Sequence, residues 1–146
     1  MLNHIFLNRF LWGAVLWVLV SARSCWAEGM AHLVFHMGLG ASGKFFIGGT
    51  LENKGDAPVN HGYVVVSLLD SKCYPIGEKL YAFGPLSAGD KQAFRIPIEG
   101  PLEGYRLTAF KALDDMGFPL SAIDDTHAIV QSRELAERKK CHQARK

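Results

Sequence analysis

The feature that most limits the fold is a regular pattern after position 30, in which short apolar segments alternate with turn residues. Residues 44–53 place apolar side chains at every second position, and residues 91–98 show the same period of two. That period is typical of β-strands with one buried face. Turn signals recur about every 8–12 residues, and no helical crossover separates the segments. This pattern predicts an all-β fold, either an antiparallel sandwich or a barrel.

Seven segments carry this β signal, and one segment carries a helical one. The predicted strands are 31–37, 44–53, 62–70, 80–83, 91–98, 105–113 and 118–121, with a flexible loop at 38–43. Residues 132–144 contain helix-forming residues without Gly or Pro, which predicts a short C-terminal helix. Asp125 or Thr126 is expected to cap it. We therefore divide the chain into residues 1–27, a β-domain at 28–124 and a basic helical tail at 125–146.

The first 27 residues have the pattern of a secretory signal peptide. Arg9 precedes an apolar run of 13 residues, Phe10 to Ala22. A signal core needs about 7–15 apolar residues, whereas a membrane-spanning helix needs ~20. An uncleaved anchor and a lipoprotein acylated at Cys25 are the alternatives. The pattern predicts export to the periplasm or the exterior of the cell.

Two cleavage sites fit the small residues that follow the apolar run. Cleavage after Ala27 is the first choice, and cleavage after Gly29 is the second. The first choice removes Arg9 and Arg23, two of the 16 basic residues, which leaves as many basic as acidic residues, 14 of each.

Basic charge is concentrated at the C-terminus. Residues 133–146 hold Arg133, Arg138, Lys139, Lys140, Arg145 and Lys146, against Glu134 and Glu137. A nucleic-acid-binding protein spreads its basic residues over a face of the fold, so this distribution argues against that function. A solvated helix end explains the charge. The other interpretations are contact with an acidic envelope protein, through Arg138, Lys139 and Lys140, or with an anionic membrane surface.

The two cysteines outside the predicted signal peptide form an even pair. In an oxidising compartment, Cys73 and Cys141 are expected to form a disulfide that fixes the tail to the body. Two free thiols or an intermolecular bridge are the alternatives.

Three short motifs resemble the FxLYD-type domain. They are Gly-Thr-Leu-Glu-Asn at 49–53, Val-Ser-Leu-Leu-Asp at 66–70, and Leu-Ser-Ala-Gly at 86–89 leading to Phe94. The family pattern has Phe, Tyr and Pro where this chain has Val66, Leu69 and Ala88. The resemblance covers roughly residues 44–114. It implies an immunoglobulin-like β-sandwich of about seven strands in a bacterial envelope protein, without catalysis, and it carries over no site residues.

Residues 38–44, Gly-Leu-Gly-Ala-Ser-Gly-Lys, fit the G-x-G-x-x-G pattern and nearly fit a phosphate-binding loop. Both motifs require a helix directly afterwards, because its N-terminus holds the phosphate. Here the residues that follow are strand-like, and Phe45 stands where a hydroxyl is needed. A hairpin or loop is the better interpretation.

A copper site is the alternative functional hypothesis. Met30, His32, His36 and Met37 supply imidazole and thioether groups, which suit copper. In a strand His32 and His36 fall on the same face, while Met37 falls on the other. If cleavage follows Gly29, the new amine with His32 in third position also forms a square-planar Cu(II) site. Two ordinary strand histidines are the simpler interpretation.

No catalytic constellation is evident in the sequence. The acidic pairs at 114–115 and 124–125 lack the spacing of a Ca²⁺ loop, and turn or cap roles explain them. There is no G-x-S-x-G elbow. We therefore expect an exported, non-catalytic binding or assembly module of the bacterial cell envelope that contacts another protein and needs no cofactor, with periplasmic copper binding through His32 and His36 as the alternative.

Overall fold

A computed structural model describes residues 26–146. The predicted signal peptide, apart from Trp26 and Ala27, lies outside the described residues. The remaining chain forms seven strands followed by one helix. They are β1 Met30–Ala41, β2 Lys44–Asn53, β3 His61–Leu69, β4 Pro75–Phe83, β5 Lys91–Ile98, β6 Gly104–Leu113, β7 Pro119–Asp124 and α1 His127–Ala144.

The strands form one mixed sheet in the order β4-β3-β6-β7-β1-β2-β5. The expectation of a purely antiparallel arrangement is wrong, because β7 runs parallel to the first part of β1. On its other side, β7 pairs antiparallel with the end of β6. A short β7 thus joins two groups of strands by pairing with four residues of β1 and two residues of β6.

The sheet curls so that its outer strands approach each other. Tyr81 of β4 stacks on Phe94 of β5 with ring centroids 5.3 Å apart. Gln92 donates a hydrogen bond from Nε2 to the Tyr81 hydroxyl, at 3.2 Å. The enclosed core contains the almost wholly buried side chains Leu33, Ile47, Leu51, Val59, Val64 and Val66. Apart from Val59, which lies in an isolated bridge to Leu86, period-two alternation supplies these side chains, since alternate residues of a strand point to the same face.

The strand bounds confirm β2 and β5 and correct the 38–43 loop. Those residues are not a loop, because β1 continues to Ala41 and pairs with β2 up to Lys44. Ser42 and Gly43 make the connection, and both have positive φ, 53° and 75°. Two consecutive left-handed residues define the tight hairpin turn that matches strand twist.

The helix begins five residues before the predicted start. Thr126 occupies the N-cap position but has helical backbone angles, and its side chain makes no capping bond to the helix. The hydroxyl is instead bonded to Asp124, at 2.6 Å. Thr126 is therefore at the N-cap position, as predicted, but its hydroxyl bonds to Asp124 and not to the backbone of the helix.

Asn53, at the end of β2, is completely buried and fully hydrogen-bonded. Its Oδ1 accepts from the backbone N–H groups of Met30 and Gly55, at 3.1 and 2.9 Å. Its Nδ2 donates to the carbonyls of Ala57 and Leu86, at 2.8 and 3.0 Å. One amide therefore joins the start of β1, the loop after β2 and the segment before β5.

We expect Asn53→Asp to destabilise the fold by about 3 kcal/mol, since a buried carboxylate cannot donate to two carbonyls and leaves them unpaired. Urea unfolding at pH 7 measures the loss. Asn60→Asp is the matched control, because Asn60 is half-buried and its side chain has no comparable network. Equal stability of the two variants would contradict this role for Asn53.

Residues 70–74 and 114–118 form the same turn twice. In each, the first aspartate accepts hydrogen bonds at its Oδ1 from the backbone N–H groups two and four residues later, at 2.8–2.9 Å. The fourth residue is left-handed in both, with φ 64° at Cys73 and 83° at Gly117. Cys73 therefore occupies a position that favours glycine.

We expect Cys73→Gly to be more stable than Cys73→Ser by about 1 kcal/mol when both are made in a Cys141→Ser background. Removing the side chain relieves the left-handed strain without a disulfide to offset it. Thermal or urea unfolding gives the difference. Gly117→Ser should lose a similar amount, and an advantage of Ser over Gly at position 73 would refute the explanation.

Candidate functional site

The C-terminal helix is attached to the body by a disulfide, as predicted. Cys73 and Cys141 are bonded with Cα atoms 5.6 Å apart, across 68 residues of sequence. Closing a loop of that length stabilises the folded state by about 4 kcal/mol in the chain-entropy account. The link joins the turn between β3 and β4 to the last turn of α1.

Arg145 reinforces this attachment just after the helix. Its guanidinium donates to the carbonyls of Lys72 and Cys73, at 3.0 and 3.2 Å. It also lies 4.2 Å from the centre of the Tyr74 ring, a cation–π distance. One residue of the basic tail is therefore committed to holding the helix.

The rest of α1 faces solvent. None of its residues is buried, and Leu135 is 82% exposed. Arg138 is bonded to Glu134 one turn earlier. Lys139 and Lys140 have no carboxylate partner among the ion pairs of the described residues. The helix thus presents basic charge while both of its ends are fixed to the body.

A chain of polar side chains secures the start of α1. Thr126 donates its hydroxyl proton to Asp124, so its oxygen accepts from His36 Nε2, at 2.9 Å. His36 Nδ1 then accepts from the Tyr105 hydroxyl, at 2.7 Å. These roles assign the Nε2–H tautomer to His36. The chain ties β1, β6 and the β7–α1 junction together.

Burial sets the protonation of this chain. It raises the pKa of Tyr105 to about 12, so the phenol stays protonated and donates. Burial also lowers the pKa of His36, although the negative charge of Asp124 opposes the change. Neutral His36 is the form that accepts from Tyr105. The arrangement is that of a structural link, with each proton committed to a partner.

A second polar cluster stands next to the first. His32 Nδ1 donates to one oxygen of Asp125 at 2.8 Å, and Lys54 donates to the other at 3.0 Å. The His32 hydrogen bond, then the Lys54 hydrogen bond, lowers the pKa of Asp125. His32 Nε2 is buried without a hydrogen-bond partner.

The two histidines of the copper hypothesis do not share a face. A β-bulge between Leu33 and Phe35 shifts the register, so that His32 lies opposite Glu52 and His36 lies opposite Gly49. Glu52 and Gly49 are an odd number of residues apart on β2, which places the histidines on opposite sides of the sheet.

Copper binding would require His36 to release its bonds to Tyr105 and Thr126. An N-terminal chelate at Met30 would need backbone nitrogens of β1, where that strand is flanked by β2 and β7. Within residues 26–146, no three His, Cys, Asp or Glu side chains are grouped to hold an ion. Copper binding stays a prediction.

The other sequence motifs have structural surroundings. The glycine-rich segment at 38–44 runs into β2, so no helix N-terminus follows it. Its Gly38 and Gly40 line a shallow depression of about 290 Å³ with Phe45, Leu102 and Tyr105. Asp114 makes the turn described above. In the part of the chain that the structure describes, no helix has the length and apolar character needed to cross a membrane.

Comparison with known proteins gives this chain no family assignment. No protein-family model matches it, and no curated protein matches its sequence.

The polar chain around His36 predicts a pH dependence of stability. Because the folded-state pKa of His36 lies below its usual 6.5, the unfolded state binds more protons as pH falls through that value. Stability should be full above pH 7 and decline as the pH falls below about 6.5. Urea unfolding across that range measures it.

His36→Gln should remove part of this decline, since an amide can accept from Tyr105 and donate to Thr126 without titrating. His61→Gln is the control, because His61 is exposed. If His36→Gln keeps the whole decline below pH 6.5, another group is responsible.

Proposed function

We propose that this protein is an exported, non-catalytic binding module of the bacterial cell envelope that contacts an acidic partner protein through α1. The observation that carries the proposal is an 18-residue helix with no buried residue, attached to the body at both ends. Most helical stability in proteins comes from the packing of an apolar face, which this helix lacks. A helix that contributes no core and is nevertheless tethered covalently is suited to presenting a surface.

The polar clusters support the absence of catalysis in this proposal. In the chain from Tyr105 to Asp124, each donor is committed to an acceptor of the same protein. Tyr105, whose pKa is raised to about 12, stays protonated near neutral pH and offers no phenolate base, and Asp125 is held by His32 and Lys54. These contacts explain the residues as links between strands and the β7–α1 junction.

The proposed fold is an immunoglobulin-like sandwich of the FxLYD type. Strands β1, β2 and β5 would form one layer, and β4, β3 and β6 the other, with β7 bridging them. The strand order and the buried inner faces are compatible with two such layers. Asn53, the last residue of the first motif that resembles this family, is the buried amide that organises three segments.

Contacts of residues 28–30 support cleavage after Ala27. The Glu28 carbonyl accepts from Asp56 N–H at 3.0 Å, and the Met30 carbonyl accepts from Lys54 N–H at 2.9 Å. Gly29 lies against Pro58 so closely that a Cβ would be 2.7 Å from the Pro58 carbonyl oxygen. Glu28 and Gly29 therefore belong to the folded domain, whereas Trp26 and Ala27 are exposed.

We expect the protein purified from its native envelope to begin at Glu28 and to weigh two hydrogens less than its reduced form. Export allows the signal to be removed and Cys73 and Cys141 to oxidise. Intact mass spectrometry with and without reductant measures both. Retention of residues 1–27, or two free thiols in the unreduced protein, would contradict the export proposal.

The partner surface is tested by charge reversal on α1. A photoreactive amino acid at the exposed Leu135 position should crosslink one envelope protein in intact cells. Lys139→Glu with Lys140→Glu should reduce that crosslink about tenfold, because both charges face solvent and are available to an acidic partner. Lys111→Glu, an exposed position on β6, is the matched control.

A crosslink that survives the double reversal would reject Lys139 and Lys140 as the contact. Binding of the purified protein to vesicles with anionic lipid, lost in the same double variant and without a protein crosslink, would replace the protein partner by a membrane surface.

A further inference from the structure

The turns at 70–74 and 114–118 agree in more than their aspartate side chains. Each is flanked by a paired leucine and proline, Leu69 with Pro75 and Leu113 with Pro119. In both turns the N–H of the first residue donates to the carbonyl of the fifth, at 2.9 Å. The carbonyl of the first residue accepts from the N–H of the fourth, at 2.9 and 3.2 Å. The same hydrogen bonds hold both turns, so their other backbone groups occupy corresponding positions.

The first of these turns binds an arginine side chain. Arg145 donates from Nε to the carbonyl of the third residue, Lys72, at 3.0 Å, and from Nη2 to that of the fourth, Cys73, at 3.2 Å. Its guanidinium carbon lies 4.2 Å from the ring centre of the fifth residue, Tyr74. Two carbonyls and one aromatic ring therefore form an arginine site, because a guanidinium combines several in-plane donors with a face that rests on a ring.

The second turn presents the same three groups to solvent. The corresponding carbonyls belong to Met116 and Gly117, and neither accepts a hydrogen bond from residues 26–146. The corresponding ring is that of Phe118, which is 61% exposed. A Cβ on Gly117 would have no atom of the described chain within 4 Å. A guanidinium can therefore reach this turn from outside the chain.

The second turn is also the more acidic of the two. It contains Asp114 and Asp115 and no basic residue, whereas the first turn contains one aspartate and one lysine. Both aspartates also line a depression of about 580 Å³, together with Glu28 and without a basic side chain among the described lining residues. Clustered charge of one sign attracts a ligand of the opposite sign. This charge distribution favours a cation at the second turn.

We propose that turn 114–118 binds the guanidinium of an arginine side chain from outside this chain, in the way that turn 70–74 binds Arg145. The carbonyls of Met116 and Gly117 accept from the guanidinium, Phe118 lies against its face, and Asp115 supplies charge attraction. Lysine does not match the site, since a compact ammonium lacks the planar set of donors. The site is separate from the basic face of α1, so the two binding proposals can fail independently.

NMR titration of the isotope-labelled, processed full-length protein tests the site. The probe is N-acetyl-arginine amide at millimolar concentration, and the control is N-acetyl-lysine amide. We expect the arginine probe to shift the amide resonances of 116–118 in a saturable way, and the lysine control to shift them about threefold less. The amides of 70–74 should not respond, because Arg145 already occupies that turn.

The variant Arg145→Ala supplies an internal positive control. It exposes the first turn while the Cys73–Cys141 disulfide still holds the tail, so the same probe should now shift the amides of 70–74 as well. The response of 116–118 should be unchanged. A shift at both turns would show that the shared backbone arrangement, with its aromatic ring, is sufficient to bind arginine.

Two variants of the second turn test the individual contacts. Phe118→Leu should weaken binding of the arginine probe about threefold, because it removes the ring and keeps an apolar side chain. Phe35→Leu is the matched control, since Phe35 is 48% exposed on β1. Asp115→Asn should weaken binding and reduce its dependence on salt. Asp115 is exposed, and its side chain makes none of the turn's hydrogen bonds.

The source of the arginine is measured separately. A dimer in sedimentation that is lost in Phe118→Leu, and in Arg106→Lys or Arg133→Lys, would assign the arginine to a second copy. A photoreactive amino acid at the exposed position 116 that crosslinks another envelope protein in intact cells, with the crosslink lost in Phe118→Leu, would assign it to a partner protein. Either result supports the site.

Three results would overturn the proposal. The first is an arginine probe that leaves the amides of 116–118 unmoved, whether or not turn 70–74 responds in Arg145→Ala. The second is an equal response to the arginine and lysine probes, which would indicate attraction of any cation to the carboxylates. The third is unchanged binding in Phe118→Leu while its amide spectrum shows that the variant is folded.

Discussion

A single buried amide determines how the ends of the sheet are connected. Asn53 accepts two backbone protons and donates two of its own, and its backbone N–H and C=O bond to Asp90 and Gly89. All of its hydrogen-bonding capacity is used inside the protein. Buried polar groups are costly unless they are satisfied in this way, so the three segments around it are held in one arrangement.

The start of β1 depends on that arrangement. Asn53 positions Met30, and the pairing of β1 with β7 follows directly after it. The β7–α1 junction is in turn held through Asp125, Thr126 and their histidine partners on β1. The helix is thereby oriented from one end by polar contacts and from the other by the disulfide. A helix that does not pack on the core is still fixed in direction.

Local patterns in the sequence predict much of this fold. The bounds of β2 and β5 follow from their period of two, because each has one face on the core and one toward solvent. The Cys73–Cys141 pair follows from the count of cysteines and the expected compartment. The extension of β1 through Gly38 and Gly40 was not predicted, because glycine is depleted in strands and its pattern resembled a loop.

Features that depend on contacts between residues far apart in sequence cannot be predicted from local patterns. The parallel contact between β1 and β7 joins residues that are far apart in sequence, and no local signal reports it. The bulge after Leu33 reverses the face of His36, which a simple alternation cannot show. The polar chain from Tyr105 to Asp124 comes from three separate segments. The two similar turns at 70–74 and 114–118 share a sequence motif that could have predicted them, because both segments read Asp-x-x-Cys/Gly-aromatic-Pro.

The position of the disulfide also decides how the domain responds to mechanical force. Residues 142–146 follow Cys141, so tension applied at the C-terminus passes through the sulfur bridge into the turn between β3 and β4. The helix and β7 are bypassed. Without the bridge, the same pull would peel the short β7 from β1 and β6 one hydrogen bond at a time. A pull on residues 142–146 would thus load the body of the sheet while the short β7 stays unloaded.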